Sequence, residues 1–539
     1  MSADRTSKSR SGAVPAALLL AALALSLTPA LDSGAQDGGE PAKPAPDKPD
    51  KPAPRTDASL RKACAKCHGF PEPALFPKAA WPEILGKMYD QLGLKRPEQA
   101  LEGWTRAQAT AWYVERAPKQ HELRRQPAER ANGPLQFKAL GIRPPKAPPT
   151  PAISALEVIQ GPRGPYALAC DMRHHMVLKL EFARPFTAAP PRWVPLAKVP
   201  HPARVTRVDL GDSAGLLVAD LGSFLPSDHK RGQLLLLRPE PDKGLVARPL
   251  LSGLGRVADL RARGGKSKDK GEDPLDLVAC IFGFQDSGSL RFLEHTGAGE
   301  DGLPSYRDQV LDEREGAVRA EFADLDGDGV TEIVALIAQE HEELAVFKRG
   351  KDEAGQETWT KTVVDRGPHP AWGSNGLLVR DLDGDGNQDL VVSNGDTLDD
   401  MLIKDCHGIR LFRNAGDGTF AAEDVAKVYG VHGLAAADMD GDGDLDLVAS
   451  AFVPQFDPAR DFPGYGLPSL LWFERTKSGW KEWVIERRNP AHAVLATGDL
   501  DGDGDVDLLV GQFVMSFGPN PPRPSRSWAS IWLNSRRKK

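Results

Sequence analysis

The sequence predicts a mainly β protein, a seven-bladed β-propeller, preceded by a small all-α domain. An acidic nine-residue pattern occurs four times, beginning at Asp324, Asp381, Asp438 and Asp499, and each copy is followed by a short apolar run. The copies are spaced by 57, 57 and 61 residues, and periods of this size are typical of propeller blades. Weaker versions of the same strand–turn–strand pattern lie upstream, where the acids are missing.

Each repeat is interpreted as four short strands. In one copy they lie at 376–380, 390–393 and 409–413, with a short strand near Val425. Counting such units along the chain gives seven blades, which we assign to residues 153–535. Four-stranded blades of this number are expected to close into a ring in which each blade packs on its neighbours.

The spacing of the acids indicates calcium. Carboxylates occupy loop positions 1, 3, 5 and 9, glycines occupy positions 4 and 6, and position 7 offers its carbonyl, a set of hard oxygen donors that suits Ca²⁺. The residue at position 12 is apolar and the flanks are strand-like, which distinguishes these loops from EF-hands. The alternative is an acidic glycine-rich turn without metal. The predicted ligands are Asp324, Asp326, Asp328, Val330, Glu332, Asp381, Asp383, Asp385, Asn387, Asp389, Asp438, Asp440, Asp442, Asp444, Asp446, Asp499, Asp501, Asp503, Asp505 and Asp507.

The N-terminal segment, residues 1–35, is typical of an export signal. Basic residues precede an apolar run from Ala13 to about Leu27, and small residues follow it. We therefore predict an exported protein, periplasmic or extracellular, with membrane attachment only if the signal stays uncleaved. Residues 36–57 are rich in Pro, Lys and Asp, which predicts a disordered linker.

The sequence Cys64-Ala65-Lys66-Cys67-His68 is the attachment pattern of c-type haem. Cys64 and Cys67 would form thioethers with the porphyrin, and the imidazole of His68 would bind iron. A zinc site or a redox disulfide is the alternative, but zinc needs further ligands nearby. We assign the haem domain to residues 58–120.

The sixth iron ligand is predicted on the next helix, at about 79–92. Trp81, Ile84, Leu85 and Met88 share one face of that helix. Met88 either binds iron through its thioether or belongs only to the core of the domain. The Pro-rich segment that follows the haem domain, residues 121–152, is predicted to be a linker to the propeller.

The repeats resemble the FG-GAP/VCBS type found in integrin α-subunit propellers and in many secreted bacterial proteins. Three segments, Ala338–Glu343, Asn394–Asp400 and Tyr429–His432, resemble more closely a group of VCBS-repeat proteins with a cytochrome c-like N-terminus, known mainly from planctomycete-type genomes. The resemblance covers most of the chain from Ala58 onward. It implies the architecture and the cofactors, haem c and Ca²⁺, rather than a reaction.

A further site is predicted at one mouth of the propeller, on the face opposite the acidic loops. Polar residues in the blade-to-blade crossings and second turns would meet there and bind a metal, a glycan, a peptide or the edge of the haem domain. The alternative is that each residue caps its own turn. The predicted residues are His201, His341, His369, Asn375, Asn394, Asp396, His432 and His492.

Composition excludes some functions. The net charge is −7 and no strong basic patch is present, which argues against nucleic-acid binding. The one basic stretch, Arg261–Lys270, is glycine-rich and is predicted to be a solvated loop. Cys170 and Cys280 close the second strands of different blades, which predicts two buried thiols.

Three functions fit these observations. The first is an exported monohaem cytochrome fused to a calcium-stabilised propeller, which transfers electrons to an unidentified redox partner while the propeller binds a protein or glycan ligand. The second is a periplasmic oxidoreductase with a metal or substrate site at the propeller mouth. The third is an extracellular binding or adhesion module. The sequence shows no Ser-His-Asp order, Walker loop or paired catalytic carboxylates, so it indicates no specific reaction.

Overall fold

The chain folds into a helical unit followed by a β-propeller. A computed structural model describes residues 56–66, 69–119, 133–183, 186, 189–210, 214–267, 271–284, 286–300, 302–398, 402–453, 466–489, 491–515 and 525–536. The predicted signal and almost all of the linker after it lie outside these ranges, as do Cys67 and His68. Among the described helices, none is both long and apolar enough to cross a membrane.

The helical unit contains three α-helices, a 3₁₀ turn and a two-stranded hairpin. These are α1 (Asp57–Cys64), the 3₁₀ turn Pro73–Leu75, α2 (Trp81–Gln91), β1 (Ala100–Leu101), β2 (Trp104–Thr105) and α3 (Arg106–Arg116). Capping boxes begin α1 at Thr56 and α3 at Thr105, because each threonine accepts from the backbone N–H three residues later. The helix predicted at about 79–92 corresponds to α2.

Aromatic rings fill the core of the helical unit. Trp81 and Tyr113 are fully buried and stack with ring centroids 4.0 Å apart. The indole of Trp81 donates to the carbonyl of Pro73 at 3.1 Å, which satisfies its one polar atom. The unit is short, and six of the eleven buried residues in this core cluster are aromatic.

In the described part of the chain, seven four-stranded antiparallel sheets form the blades. Six blades use consecutive strands, and the seventh combines strands from both ends of this region. The first three blades are β4 (Ile153–Gly161), β5 (Gly164–Asp171), β6 (Met176–Glu181) and β7 (Arg192–Lys198); β8 (Pro202–Asp209), β9 (Ala214–Asp220), β10 (Gly232–Glu240) and β11 (Gly244–Leu254); and β12 (Val257–Ser267), β13 (Gly271–Ile281), β14 (Ser289–Ala298) and β15 (Pro304–Asp312).

The remaining four blades carry the acidic loops. They are β16 (Ala317–Ala323), β17 (Glu332–Ile337), β18 (Glu343–Lys351) and β19 (Glu357–Arg366); β20 (Ser374–Arg380), β21 (Asp389–Asn394), β22 (Gly408–Asn414) and β23 (Phe420–Lys427); β24 (Val431–Ala437), β25 (Asp446–Ala451), β26 (Pro468–Thr476) and β27 (Gly479–Arg487); and β28 (His492–Gly498), β29 (Asp507–Gln512) and β30 (Ala529–Arg536) with β3 (Leu135–Ile142). The predicted number of seven blades is confirmed.

The ring is closed by a strand that the sequence analysis assigns to the linker. Strand β3 pairs antiparallel with β30 and forms the outer edge of blade seven, so the propeller begins before residue 153. Only Leu135 and Ile142 at its ends are buried. A mostly exposed outer strand has only a weak hydrophobic pattern, and its partner β30 is distant in the sequence, which explains why the 121–152 linker boundary is wrong.

The core lies between blades. The second strands of the four acidic-loop blades are buried along their whole length, because their side chains alternate between the two neighbouring blades. One apolar cluster fills each interface between adjacent blades. The thiols of Cys170 and Cys280 are fully buried in two of these clusters, as predicted.

The basic stretch at 261–270 is not simply a solvated loop. Strand β12 continues to Ser267, and Arg261 is nearly buried, with its guanidinium 3.3 Å from Asp259 and 2.9 Å from Glu321. Although burial acts in the other direction, these two carboxylates raise the pKa of Arg261. Charge pairing within the propeller therefore accounts for an arginine that sequence reasoning places in solvent.

Candidate functional site

Each acidic loop joins the first and second strands of its blade, as predicted. The glycines at positions 4 and 6 have positive φ in every copy, for example 73° at Gly441 and 99° at Gly443. This left-handed backbone turns N–H groups toward the acid at position 1. In blade six, Gly441 donates to Asp438 Oδ1 at 2.6 Å and Gly443 to Asp438 Oδ2 at 3.2 Å.

The acid at position 9 is buried and braces the loop. In blade six, Asp446 is 1% exposed, and its two oxygens accept from Met439 N at 3.2 Å and Arg475 N at 2.8 Å. It thereby ties the loop to the third strand of the blade. The equivalent acids are buried in the same way; these are Glu332, Asp389 and Asp507. Sequence reasoning assigns position 9 only to metal binding and misses this bracing role.

The carboxylates crowd closely enough to bind a cation. In each loop, three of them place one oxygen each within 4.8 Å of the others. The acid at position 5 is exposed in every copy, and it belongs to the group of three in blades five and six. Burial, with added repulsion from Asp440, raises the pKa of Asp446 to about 7. Crowded carboxylates of this kind gain from a divalent cation. The four groups are Asp324, Asp326 and Glu332; Asp381, Asp383 and Asp385; Asp438, Asp440 and Asp442; and Asp499, Asp501 and Asp507.

Three of the loops are also held by the following blade. A side chain at the end of the third strand of that blade donates to the carbonyl at loop position 2. The donor–acceptor pairs are Asn414 Nδ2 to Leu325 O at 2.8 Å, the guanidinium of Arg475 to Leu382 O, and Asn534 Nδ2 to Met439 O at 2.9 Å. The loops therefore follow one another along one rim. The sequence signal is an aromatic residue followed two positions later by Asn or Arg.

The cysteine pattern begins where α1 ends. Cys64 is the last residue of the helix and lies 5% exposed in the aromatic core. Burial raises the pKa of its thiol, which makes it a poor thiolate. Met88, on α2, is partly buried against the same core. Cys67 and His68 lie outside the described residues, so their predicted roles stay predictions.

The helical unit packs on the propeller. Ala371 lies in the loop that enters blade five, and Leu402 lies between the second and third strands of that blade. Both contact the aromatic core of the helices. Gly69, directly after the cysteine pattern, lies so close to the loop that a β-carbon there would be 2.1 Å from the carbonyl oxygen of Pro368. His369 follows in that loop and lies edge-on to Trp372 with ring centroids 5.7 Å apart. The structure thus brings one of the predicted mouth histidines to the helical unit.

Three predicted mouth histidines make local contacts instead of converging. His201 Nδ1 lies 3.1 Å from Met172 O, and His432 Nδ1 lies 2.9 Å from Ala493 O. His492 is fully buried, where it pairs with Glu486 and lies 2.9 Å from Gln512. Each of the three histidines therefore contacts a residue of an adjacent blade instead of a shared ligand site.

The other predicted mouth residues also make separate contacts. Two are buried and donate to backbone carbonyls, and the others lie nearer the surface. Asn375 and Asn394 are buried and donate to the carbonyls of Val431 and Cys406 at 3.0 and 2.8 Å. The carboxylate of Asp396 accepts from Leu398 N at 2.7 Å. His341 Nε2 lies 3.3 Å from Glu315 Oε1, near the exposed Glu340.

Apolar groups, rather than the predicted polar set, occupy part of this face. Phe452 and Phe513 pack with centroids 5.7 Å apart, and Phe513 stacks on Phe224 at 6.1 Å. In the neighbouring second turns, Leu225 is 52% and Phe284 40% exposed. Sequence reasoning searched this face for polar ligands and therefore missed an apolar surface.

Comparison with known proteins supports the repeat type. Residues 394–449 match the FG-GAP-like repeat family, a span that runs from blade five through the third acidic loop. No curated protein matches the chain.

Similar solved structures include the mercury-soaked crystal structure of BBS1N in complex with ARL6DN, with 12% identity, a TM-score of 0.33 and coverage of 56% of this chain and 78% of that chain. They also include a protein from Lactobacillus plantarum with 13% identity, a TM-score of 0.35 and coverage of 74% and 99%.

Proposed function

We propose that this protein is an exported electron-transfer protein in which a small haem c unit is mounted on a calcium-stabilised propeller. The observation that carries the proposal is the position of Cys64, at the end of a helix and buried among aromatic side chains beside the propeller. The sequence after it supplies the second cysteine and the histidine of the haem pattern.

The residues of the helical unit fit haem. Cys64 would form one thioether in an apolar setting, and its raised pKa argues against the alternative of a redox thiolate. Trp81, Tyr89 and Tyr113 are buried in the same core as Cys64 and would supply apolar contacts to a porphyrin bound there. Zinc is a poorer fit, because thiolate ligands in such a setting would be costly to ionise.

When bound, haem supplies a centre that gains and loses one electron. The chain's own residues set the conditions around it. Cys64 and Cys67 would fix the group covalently, His68 would bind iron, and Met88, already facing the same core, is our choice for the sixth ligand. The aromatic core excludes water, which raises the electrostatic influence of these ligands.

The contact with the propeller gives the haem unit a fixed mounting. Ala371 and Leu402 complete its apolar core, and Gly69 allows the two backbones to touch. His68, the residue that would bind iron, immediately precedes Gly69 in the sequence. A partner bound to the propeller would therefore meet the haem unit in a defined orientation, which favours electron transfer over free diffusion.

Calcium is proposed to stiffen the rim of the propeller that the acidic loops form. The support is the crowding of three carboxylates in each loop and the hydrogen bonds that link loops to the next blade. Neutralising these charges would remove their mutual repulsion and hold the blades in register.

The test is covalent haem loading. The full chain, exported in cells with haem-maturation machinery, should show a c-type visible spectrum, and Cys64→Ala or Cys67→Ala should lose it while the circular dichroism of the propeller is unchanged. Cys170→Ala, a thiol buried in a blade, is the control and should keep the spectrum. A wild-type protein without haem under these conditions would refute the proposal.

A second function, binding without electron transfer, is favoured by the exposed apolar side chains of Leu225 and Phe284. Their turns are joined, since Asp228 accepts from Asp286 N at 3.1 Å and from Ser287 Oγ at 2.8 Å. Peptide or glycan arrays probed with wild type and with Leu225→Ser would test this surface. Binding that is lost in the variant and independent of haem would favour an adhesion role.

A further inference from the structure

The four acidic loops differ at one position that lies outside the repeat pattern. In each of these four blades, an aromatic residue of the third strand pairs with the first apolar residue after the loop, so the second and third strands have the same register in all four. The residue after this aromatic is Lys348, Arg413, Glu474 and Leu533 in blades four, five, six and seven. The side chain at this position is therefore basic in blades four and five, acidic in blade six and apolar in blade seven, whereas all four loops keep the acidic pattern.

In blade four, the ammonium of Lys348 lies among the acids of the loop. It pairs with Asp326, lies 2.7 Å from Asp328 Oδ2 and lies 3.4 Å from Glu332 Oε1. These are loop positions 3, 5 and 9, which are the predicted calcium ligands. The positive charge of Lys348 therefore lies against three of the loop's carboxylates.

In blade five, the corresponding arginine reaches only part of the loop. The guanidinium of Arg413 lies 2.9 Å from Asp383 Oδ2 and also pairs with Glu423 Oε2, outside the loop, at 3.2 Å. Its positive charge lies at the edge of the acid group and leaves Asp381 and Asp385 to bind a cation.

Blades six and seven have no cation at this position. In blade six, Glu474 adds a further negative charge that acts on Asp440 of the loop. The carboxylate of Glu474 is held by the indole of Trp483 at 2.6 Å. In blade seven, Leu533 is apolar and adds no charge.

We propose that Lys348 is an internal cation that takes the place of calcium in the first loop, so that the chain binds three calcium ions and not four. The inference rests on the proposed binding of calcium by the acidic loops. A Ca²⁺ ion beside the ammonium would be repelled, and three of its ligands already pair with Lys348. The same reasoning orders the other loops: blade six binds most tightly, blade seven next and blade five most weakly.

The test is a calorimetric titration of Ca²⁺ into the metal-free full chain. Wild type should bind three ions. Asp328→Asn should leave this number unchanged, whereas Asp442→Asn, at the same loop position of blade six, should lower it to two. Lys348→Leu, which introduces the residue of blade seven, should raise the number to four, and adding Asp328→Asn to that variant should return it to three.

The outcomes distinguish the internal role of Lys348 from the proposed binding of calcium by the acidic loops. Four ions in wild type, falling to three in Asp328→Asn, would overturn the inference and leave calcium binding intact. No binding in wild type would refute calcium binding itself. If Lys348→Leu fails to fold, the pair Asp328→Asn and Asp442→Asn decides the question, because equal losses in both would contradict the internal cation.

Discussion

Replacing Asp446 by alanine should destabilise the propeller whether or not calcium is present. Both oxygens of this buried side chain accept backbone N–H groups, one from Met439 in the loop and one from Arg475 in the third strand. Asp440, in the same loop, is partly exposed and accepts from Asp442 N at 3.2 Å. The pair therefore separates a bracing acid from an acid proposed to bind metal within one loop.

The magnitude follows from the hydrogen bonds. Asp446→Ala leaves the buried N–H of Met439 and the partly buried N–H of Arg475 without acceptors, and each costs about 1–3 kcal/mol, so the expected loss is about 2–6 kcal/mol. Asp440→Ala removes a weak contact at the surface and should cost less than about 1 kcal/mol without metal. With calcium, it should lose the stabilisation that the bound ion provides.

The assay is chemical denaturation of both variants and wild type, in calcium and in a chelator, followed by tryptophan fluorescence. We expect Asp446→Ala to lower the free energy of unfolding in both conditions and Asp440→Ala to lower it only in calcium. If Asp446→Ala is neutral in chelator, the bracing role is wrong. If Asp440→Ala costs the same in chelator as in calcium, that acid does not act through the metal.

Three further predictions test the fold. Burial opposes the ionisation of Glu343, but hydrogen bonds from Arg314 and Lys361 prevail and lower its pKa to about 2. The ionised carboxylate therefore contributes about 3 kcal/mol to the free energy of unfolding above pH ~5, and this contribution is lost as the pH falls toward 2. In denaturant titrations, Glu343→Gln should be less stable than wild type at neutral pH and should match it near pH 2. Leu135→Ala should cost about 2–5 kcal/mol and speed proteolysis of the closing strand, whereas the exposed control Leu140→Ala should not. Gly69→Val should free the helical unit from the propeller, measured as faster hydrogen exchange in α2 with an unchanged propeller midpoint; unchanged exchange would contradict the contact.

The blades and acidic loops are predictable from sequence because their signals are local. Four copies of one spacing fix the turn, and the apolar run after each copy fixes the second strand. In the repeat that follows Ser374, all four predicted strands lie within the observed ones, β20 to β23. The closing strand is not predictable in this way, because its partner β30 lies about 390 residues away in the sequence and most of its side chains are exposed.

The site was harder to predict than the fold. Topology correctly places His201, His432 and His492 near blade entrances, but their side chains are occupied by nearby acceptors that only the folded structure reveals. The same applies to Lys348, which lies 16 residues beyond its loop and reaches it only because strands two and three are paired. Such contacts depend on register across the sheet and have no local pattern.

The most direct test of the proposed function is the intact mass of the exported, matured protein measured under denaturing conditions. The account predicts the polypeptide mass plus one haem, lost in Cys67→Ala, because thioether bonds survive unfolding. A mass equal to the polypeptide alone, from cells that load a known c-type cytochrome in parallel, would contradict it.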